Sequence, residues 1–145
     1  MTAELVATLF VGAPTDLGFD PTSKFLLVSS HAGRGVFDLL SKERVARDLN
    51  ADYSFVSKER GAILGIGPLD GIWIEASGMF TFDGIRSPRR GHVIRYSAGV
   101  PHKIIVDDVV VATDDGELRA LDLSPDGRWL ALAYSDGIDL YELTF

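Results

Sequence analysis

The sequence predicts an all-β chain of short antiparallel strands, and three observations carry that expectation. Asp outnumbers Glu 15 to 6 and Lys occurs only 4 times, so residues that favour turns are abundant and those that coat helix surfaces are scarce. Gly and Pro recur at short intervals, among them Gly12, Pro14, Gly33, Gly61, Gly71, Gly84, Gly116, Gly127 and Gly137, leaving few windows long enough for a stable helix. Between them lie apolar or alternating runs of four to six residues, rich in β-branched and aromatic side chains, which is the signature of strands.

Taken in order, alternation first predicts strands over Leu5 to Phe10 and Leu17 to Asp20. Phe25 to Ser29 and Gly35 to Leu39 are the next two strands expected. Ser41 to Glu43 is read as a turn between strands. Tyr53 to Val56, Ala62 to Ile66, Gly71 to Glu75 and Met79 to Phe82 continue the series, with Gly65 to Gly71 read as a strand running into a hairpin turn. The basic stretch Arg86, Arg89, Arg90 and Arg95 contains Pro88 and Gly91 and is read as a solvated loop ahead of a strand at Val93 to Tyr96. Lys103 to Val106, Val109 to Thr113, Leu118 to Leu123, Trp129 to Ala133 and Ile138 to Leu143 complete the set. Asp126-Gly127 and Asp136-Gly137 lie between apolar runs, where the turn needs a positive φ; that is the strongest short-range hairpin signal. Asp114 to Glu117 is read as a further hairpin turn.

A chain of 145 residues forms one domain, residues 1–145, and is large enough to bury a core without staples. No apolar run approaches the roughly 20 residues that a membrane helix needs. The apolar start at Leu5 to Ala13 lacks the basic residues of a secretion signal, with Glu4 before it and no Lys or Arg until Lys24. A cytoplasmic protein is expected. The absence of cysteine excludes disulfides, a thiol nucleophile and cysteine-ligated metals.

Internal repetition makes the all-β reading more definite. Residues 18–33, GFDPTSKFLLVSSHAG, align with residues 122–137, DLSPDGRWLALAYSDG, at a displacement of 104. Pro21 falls on Pro125, Phe25 on Trp129, Gly33 on Gly137, and Phe37-Asp38 on Tyr141-Glu142. A weaker copy is displaced by 38, with Ile63 on Phe25, Gly71 on Gly33, and Trp73-Ile74-Glu75 near Gly35-Val36-Phe37. The segment Leu118 to Leu143, LRALDLSPDGRWLALAYSDGIDLYEL, resembles the A, B and C strands of a blade of the WD-type β-propeller family. That resemblance implies four-stranded antiparallel blades, a Pro-Asp-Gly turn from A to B, a Ser-Asp-Gly turn from B to C, and an aromatic-acidic pair closing C. The Trp-Asp pair of the family is absent, its places being held by Phe37-Asp38, Ile74-Glu75 and Tyr141-Glu142, and Gly-His occurs once, as Gly91-His92. Blades of about 40 to 45 residues allow three in this length, or four if cramped. The expected architecture is therefore an incomplete or small ring. An unassigned N-terminal strand is placed to complete the last blade, within one chain or across a homodimer.

Charge is divided unevenly along the chain. Residues 1–102 carry 11 basic and 11 acidic side chains, whereas residues 103–145 carry 3 and 10, so the whole net charge of −7 lies in the last third. An acidic total argues against a nucleic-acid partner, which requires a broad cationic face. His31, His92 and His102 match no metal-ligand spacing, and no Gly-x-Ser-x-Gly elbow supports a serine nucleophile. Gly65-Ile-Gly67-Pro-Leu-Asp-Gly71 has no following helix to hold a phosphate. Trp73 and Trp129 are expected in the core. The expectation is a non-catalytic protein-binding module without cofactor or metal, an inhibitor or immunity protein that masks a basic partner protein, touching neither nucleic acid nor membrane. Its contact residues are expected to be Asp107, Asp108, Asp114, Asp115 and Glu117, with Asp136 and Asp139 as neighbours. The alternative is a small-ligand-binding or hydrolytic propeller with a central pocket, completed by homodimerisation.

Overall fold

A computed structural model describes residues 1–50, 53–76, 85–89, 91–97, 101–114 and 116–145. The expected strand at Met79 to Phe82 lies outside these residues. Four small antiparallel sheets make up the architecture. Sheet I holds β2 (Pro14–Phe19), β3 (Phe25–Ser30), β4 (Gly33–Asp38) and β5 (Arg44–Asp48) in that order. Sheet II holds β6 (Val56–Ser57), β7 (Ala62–Leu64) and β8 (Trp73–Glu75). Sheet III holds β9 (Ile85–Arg89), β10 (His92–Ser97), β11 (His102–Val106) and β12 (Val109–Asp114). Sheet IV holds β13 (Ala120–Leu123), β14 (Trp129–Ala133) and β15 (Gly137–Thr144), with the N-terminal strand β1 (Thr2–Phe10) on its outer edge. Two 3-10 turns, Tyr53–Phe55 and Gly67–Leu69, are the only helical elements among the described residues.

Three apolar layers join the sheets in the order III, IV, I, II. Sheets III and IV meet through Ile94, Ile104 and Val106 against Leu121, Leu130 and Leu132. Sheets IV and I meet through Trp129, Ala131 and Leu140 against Leu17, Phe19, Leu26 and Phe37. Sheets I and II meet through Leu27 and Val36 against Ile63, Leu69 and Ile74. Strand alternation explains the sequence of β14: Trp129, Ala131 and Ala133 face one layer while Leu130 and Leu132 face the other. A strand covered on both sides needs an unbroken apolar run, and WLALA supplies it. Among the described residues no apolar cluster joins sheet II to sheet III, and no closed ring is formed.

The N-terminal strand is placed within the chain. β1 pairs antiparallel with β15 from Thr2↔Thr144 to Phe10↔Gly137, with a register shift between Leu5 and Ala7.

The 104-residue repeat is visible in the backbone. Ser23 N–H donates to Asp20 C=O at 3.0 Å, and Gly127 N–H to Ser124 C=O at 2.9 Å. Asp20 N–H reaches Phe25 C=O at 3.1 Å, and Ser124 N–H reaches Trp129 C=O at 2.9 Å. Ser23 and Gly127 both take positive φ, 59° and 75°. The 38-residue copy departs from this plan. The hairpin expected over Gly65 to Gly71 joins β7 to β8 but carries a 3-10 turn at Gly67–Leu69, and β8, third in its sheet, also packs beside β2. Gly18 permits that approach, because a Cβ there would lie 2.2 Å from the Glu75 carbonyl oxygen.

Two further expectations are corrected. Ile85–Arg89 is a strand, not a loop, and Pro88 is tolerated because β9 is an edge that need not donate at every position. Asp114 to Glu117 is not a hairpin turn: β12 ends on the edge of sheet III and β13 starts the edge of sheet IV, so the segment connects two sheets.

Candidate functional site

The acidic residues expected to form one contact surface lie at two ends of the sheets. Asp107 and Asp108 form the two-residue turn between β11 and β12, flanked by the Val106↔Val109 pair. Both take positive φ, 48° and 67°, a conformation that Asp tolerates better than most residues. Asp114 closes β12 at the opposite end. Six strand residues at about 3.3 Å each put roughly 20 Å between the two positions. Asp115 lies outside the described residues. Glu117 is exposed in the connection to β13, Asp136 is exposed in the turn between β14 and β15, and Asp139 is half-buried on β15.

The turn carboxylates are already engaged within the fold. Asp107 accepts from the Val93 N–H at 2.8 Å and meets His92 Nδ1 at 2.6 Å. The Asp108 carboxylate faces the Arg95 guanidinium at 3.5 Å. His92 in turn stacks on Phe145, with ring centroids 4.5 Å apart. This end of the molecule is a set of internal contacts tying sheet III to sheet IV.

The Val93 N–H, and then His92, hold the Asp107 carboxyl below the ordinary aspartate value. A depressed folded-state pKa means stability that is complete above the unfolded-state value and is lost as pH falls through the folded one. Asp107→Asn is therefore expected to flatten the acid limb of the stability profile below about pH 4. Urea midpoints measured between pH 2 and 7 check this; an unchanged acid limb would show that the turn carboxylate is not coupled to folding.

At the other end, Asp136 and Asp139 line a shallow recess of about 370 Å3 with Thr8, Phe10, Gly116 and Tyr134. Thr8 pairs with Asp139 across β1 and β15, and its hydroxyl donates to the carboxylate at 3.1 Å. Phe10 pairs with Gly137, which offers no side chain to cover the ring, and 83% of Phe10 is exposed. Glu117 and Asp136 make no ion pair or side-chain hydrogen bond with another described residue. The result is an uncovered aromatic ring lining the same recess as the exposed Asp136. Sequence reading placed Phe10 in a strand but not at a site; its partner Gly137 was the available signal.

The histidines do not converge. His31 lies in the β3–β4 turn, His92 contacts Asp107, and His102 Nδ1 lies 3.1 Å from the Tyr96 hydroxyl. No group of three or more His, Cys, Asp or Glu side chains suited to a metal ion occurs among the described residues. No described helix is long and apolar enough to cross a membrane. Comparison with known proteins finds no family model that matches the chain and no curated protein that matches it.

Proposed function

We propose that this chain is a non-catalytic, cytoplasmic protein-binding module that masks a basic partner protein, in the manner of an inhibitor or immunity protein. We also propose that its sheets are blades of an incomplete WD-like β-propeller. The reading of the fold is supported by the 104-residue repeat and by β1 completing sheet IV. The reading of function rests on one observation: Phe10, 83% exposed, lines a recess together with Asp136 and Asp139, and the exposed Glu117 follows the lining residue Gly116 in the chain. An aromatic anchor within a polar rim is the usual make-up of a binding hot spot. Carboxylates around it speed encounter with a basic surface and disfavour acidic competitors. Asp107 and Asp108 are left out of this surface, since His92 and Arg95 already contact them within the fold.

The test is affinity capture from native lysate with the intact protein and with a Phe10→Ala, Asp136→Lys double variant, eluted by rising salt. Wild type is expected to retain a stoichiometric basic protein, and the variant to bind it at least about 30-fold more weakly, as loss of a hot spot of about 2 kcal/mol implies. Equal retention by the variant would remove the site. Retention of no basic protein by the wild type would remove the function.

A further inference from the structure

The second strand pair of sheet I holds an unusual arrangement of charge. β4 reads Gly33-Arg34-Gly35-Val36-Phe37, and Phe37 points into the layer shared with sheet IV. Strand alternation puts Gly35 on that same face. Its missing side chain helps open a recess of about 190 Å3, with Val11, Val28 and Phe37 among its apolar lining.

Its cationic wall comes from β5. Residues three apart on a regular strand point to opposite faces, so Arg44 and Arg47 should not share one. They do, because Phe37 pairs with Arg44, Val36 with Ala46 and Gly35 with Arg47, leaving Val45 as the extra residue of a bulge. Bulges of this kind re-aim side chains. Both arginines line the recess. Arg44 lies over the glycine gap: its Nε is 3.5 Å from where a Cβ on Gly35 would stand, and its guanidinium donates to the Phe10 carbonyl at 3.2 Å. Arg47 is exposed and makes no ion pair with another described residue.

The remaining charges do not cancel this pair. Asp48 is the one carboxylate among the described lining residues, and it is held by the Arg34 guanidinium and by the Asn50 N–H at 2.9 Å. Arg34 also donates to the Leu64 carbonyl at 2.6 Å and stacks over Phe55, 4.4 Å from its ring centre, which anchors it toward sheet II. Two guanidiniums thus face an apolar-floored recess with no carboxylate of their own, in a chain of net charge −7. General electrostatics would not gather anions here; the local geometry has to.

We propose that this recess binds a small organic anion, with a carboxylate or phosphate head held by Arg44 and Arg47 and an apolar body against Val28 and Phe37. Planar guanidinium forks match the oxygens of either head group. The volume equals about six waters' share of the liquid, which suits a compact ligand. The recess takes its cations from β5 and its apolar floor from Val28 and Phe37, and its test substitutes no residue of the partner-binding surface, so the two readings fail separately.

Isothermal titration of the intact protein with benzoate and with inorganic phosphate, at ionic strength matched by chloride, tests it. Saturable one-to-one binding of at least one probe is expected, weakened at least tenfold by Arg47→Glu. That variant removes no internal contact of the described residues, so it is expected to keep the wild-type melting curve. Arg44→Gln, checked for folding in the same way, is expected to weaken binding as well. A stronger signal from benzoate assigns a carboxylate on an apolar body, and a stronger one from phosphate a phosphate head. Binding of neither probe, or less than a tenfold loss in Arg47→Glu, overturns the proposal.

Discussion

Trp129→Ala is expected to destabilise the fold by about 3–5 kcal/mol, the range for removing a buried aromatic from a packed core. Trp129 is 2% exposed and occupies the layer between sheets IV and I. The Arg128 guanidinium and the Lys42 ammonium sit 4.6 and 5.1 Å from its ring centre, so the ring also seats two cations at the rim. It borders a recess of about 260 Å3 formed with Thr22 to Phe25 and Asp38 to Leu40, and truncation would extend that recess into the layer. Against a total of roughly 5–15 kcal/mol for a domain, the loss is a large share. Urea unfolding followed by circular dichroism measures it. Trp129→Phe keeps an aromatic ring in place and is expected to cost less than about half as much. A cost below about 1 kcal/mol for the alanine variant would mean that the layer does not depend on this ring.

Asp122→Ala is the second large effect, of about 2–5 kcal/mol, and its cause is polar. Asp122 lies on β13, the edge strand of sheet IV opposite β1, and is fully buried. One carboxylate oxygen accepts the Phe19 N–H of sheet I at 3.2 Å, and the other accepts the Leu123 N–H at 2.9 Å. Alanine removes the charge-assisted bonds of the carboxylate, and a buried donor left unsatisfied by the loss costs about 1–3 kcal/mol more. Asp122→Asn keeps one acceptor oxygen and is expected to recover part of the loss. Hydrogen exchange at the Phe19 amide reports the same bond locally. Slow exchange that persists in the alanine variant would show that another group satisfies it.

Much of this fold is legible in the residues because double-sided burial writes a plain signal. WLALA and FLLVSS read as central strands, and Asp136-Gly137 as the tight turn that follows WLALA. The places that misled are those where the signal is local but the cause is distant. Arg44 to Asp48 alternates poorly because a bulge sets its facing, and no periodicity reports a bulge. Ile85–Arg89 carries a proline and two arginines because it is an edge, and edge position is a property of the sheet rather than of the segment. The site behaved likewise. Counting charge grouped Asp107 with Asp139, whereas the antiparallel path of β12 carries the chain from one end of the sheet to the other. The carboxylates that counted as available at Asp107 and Asp108 are spent on His92 and Arg95, contacts made across a hairpin that a one-dimensional reading does not draw.

The pairing of β1 with β15 has a consequence in time. Thr2 meets Thr144, so a strand synthesised early waits for more than a hundred residues before its partner emerges. At about 5–20 residues per second on the ribosome, that interval is on the order of ten seconds. Sheets I and II, whose strands are neighbours in sequence, can form meanwhile, but the edge that β1 covers does not yet exist. Such a distant pairing raises the contact order and slows the final step of folding. It also makes completion of sheet IV a proofreading event: only a chain translated through β15 can pair the backbone of β1 and bury Leu9, and a product truncated before β15 leaves that strand unpaired.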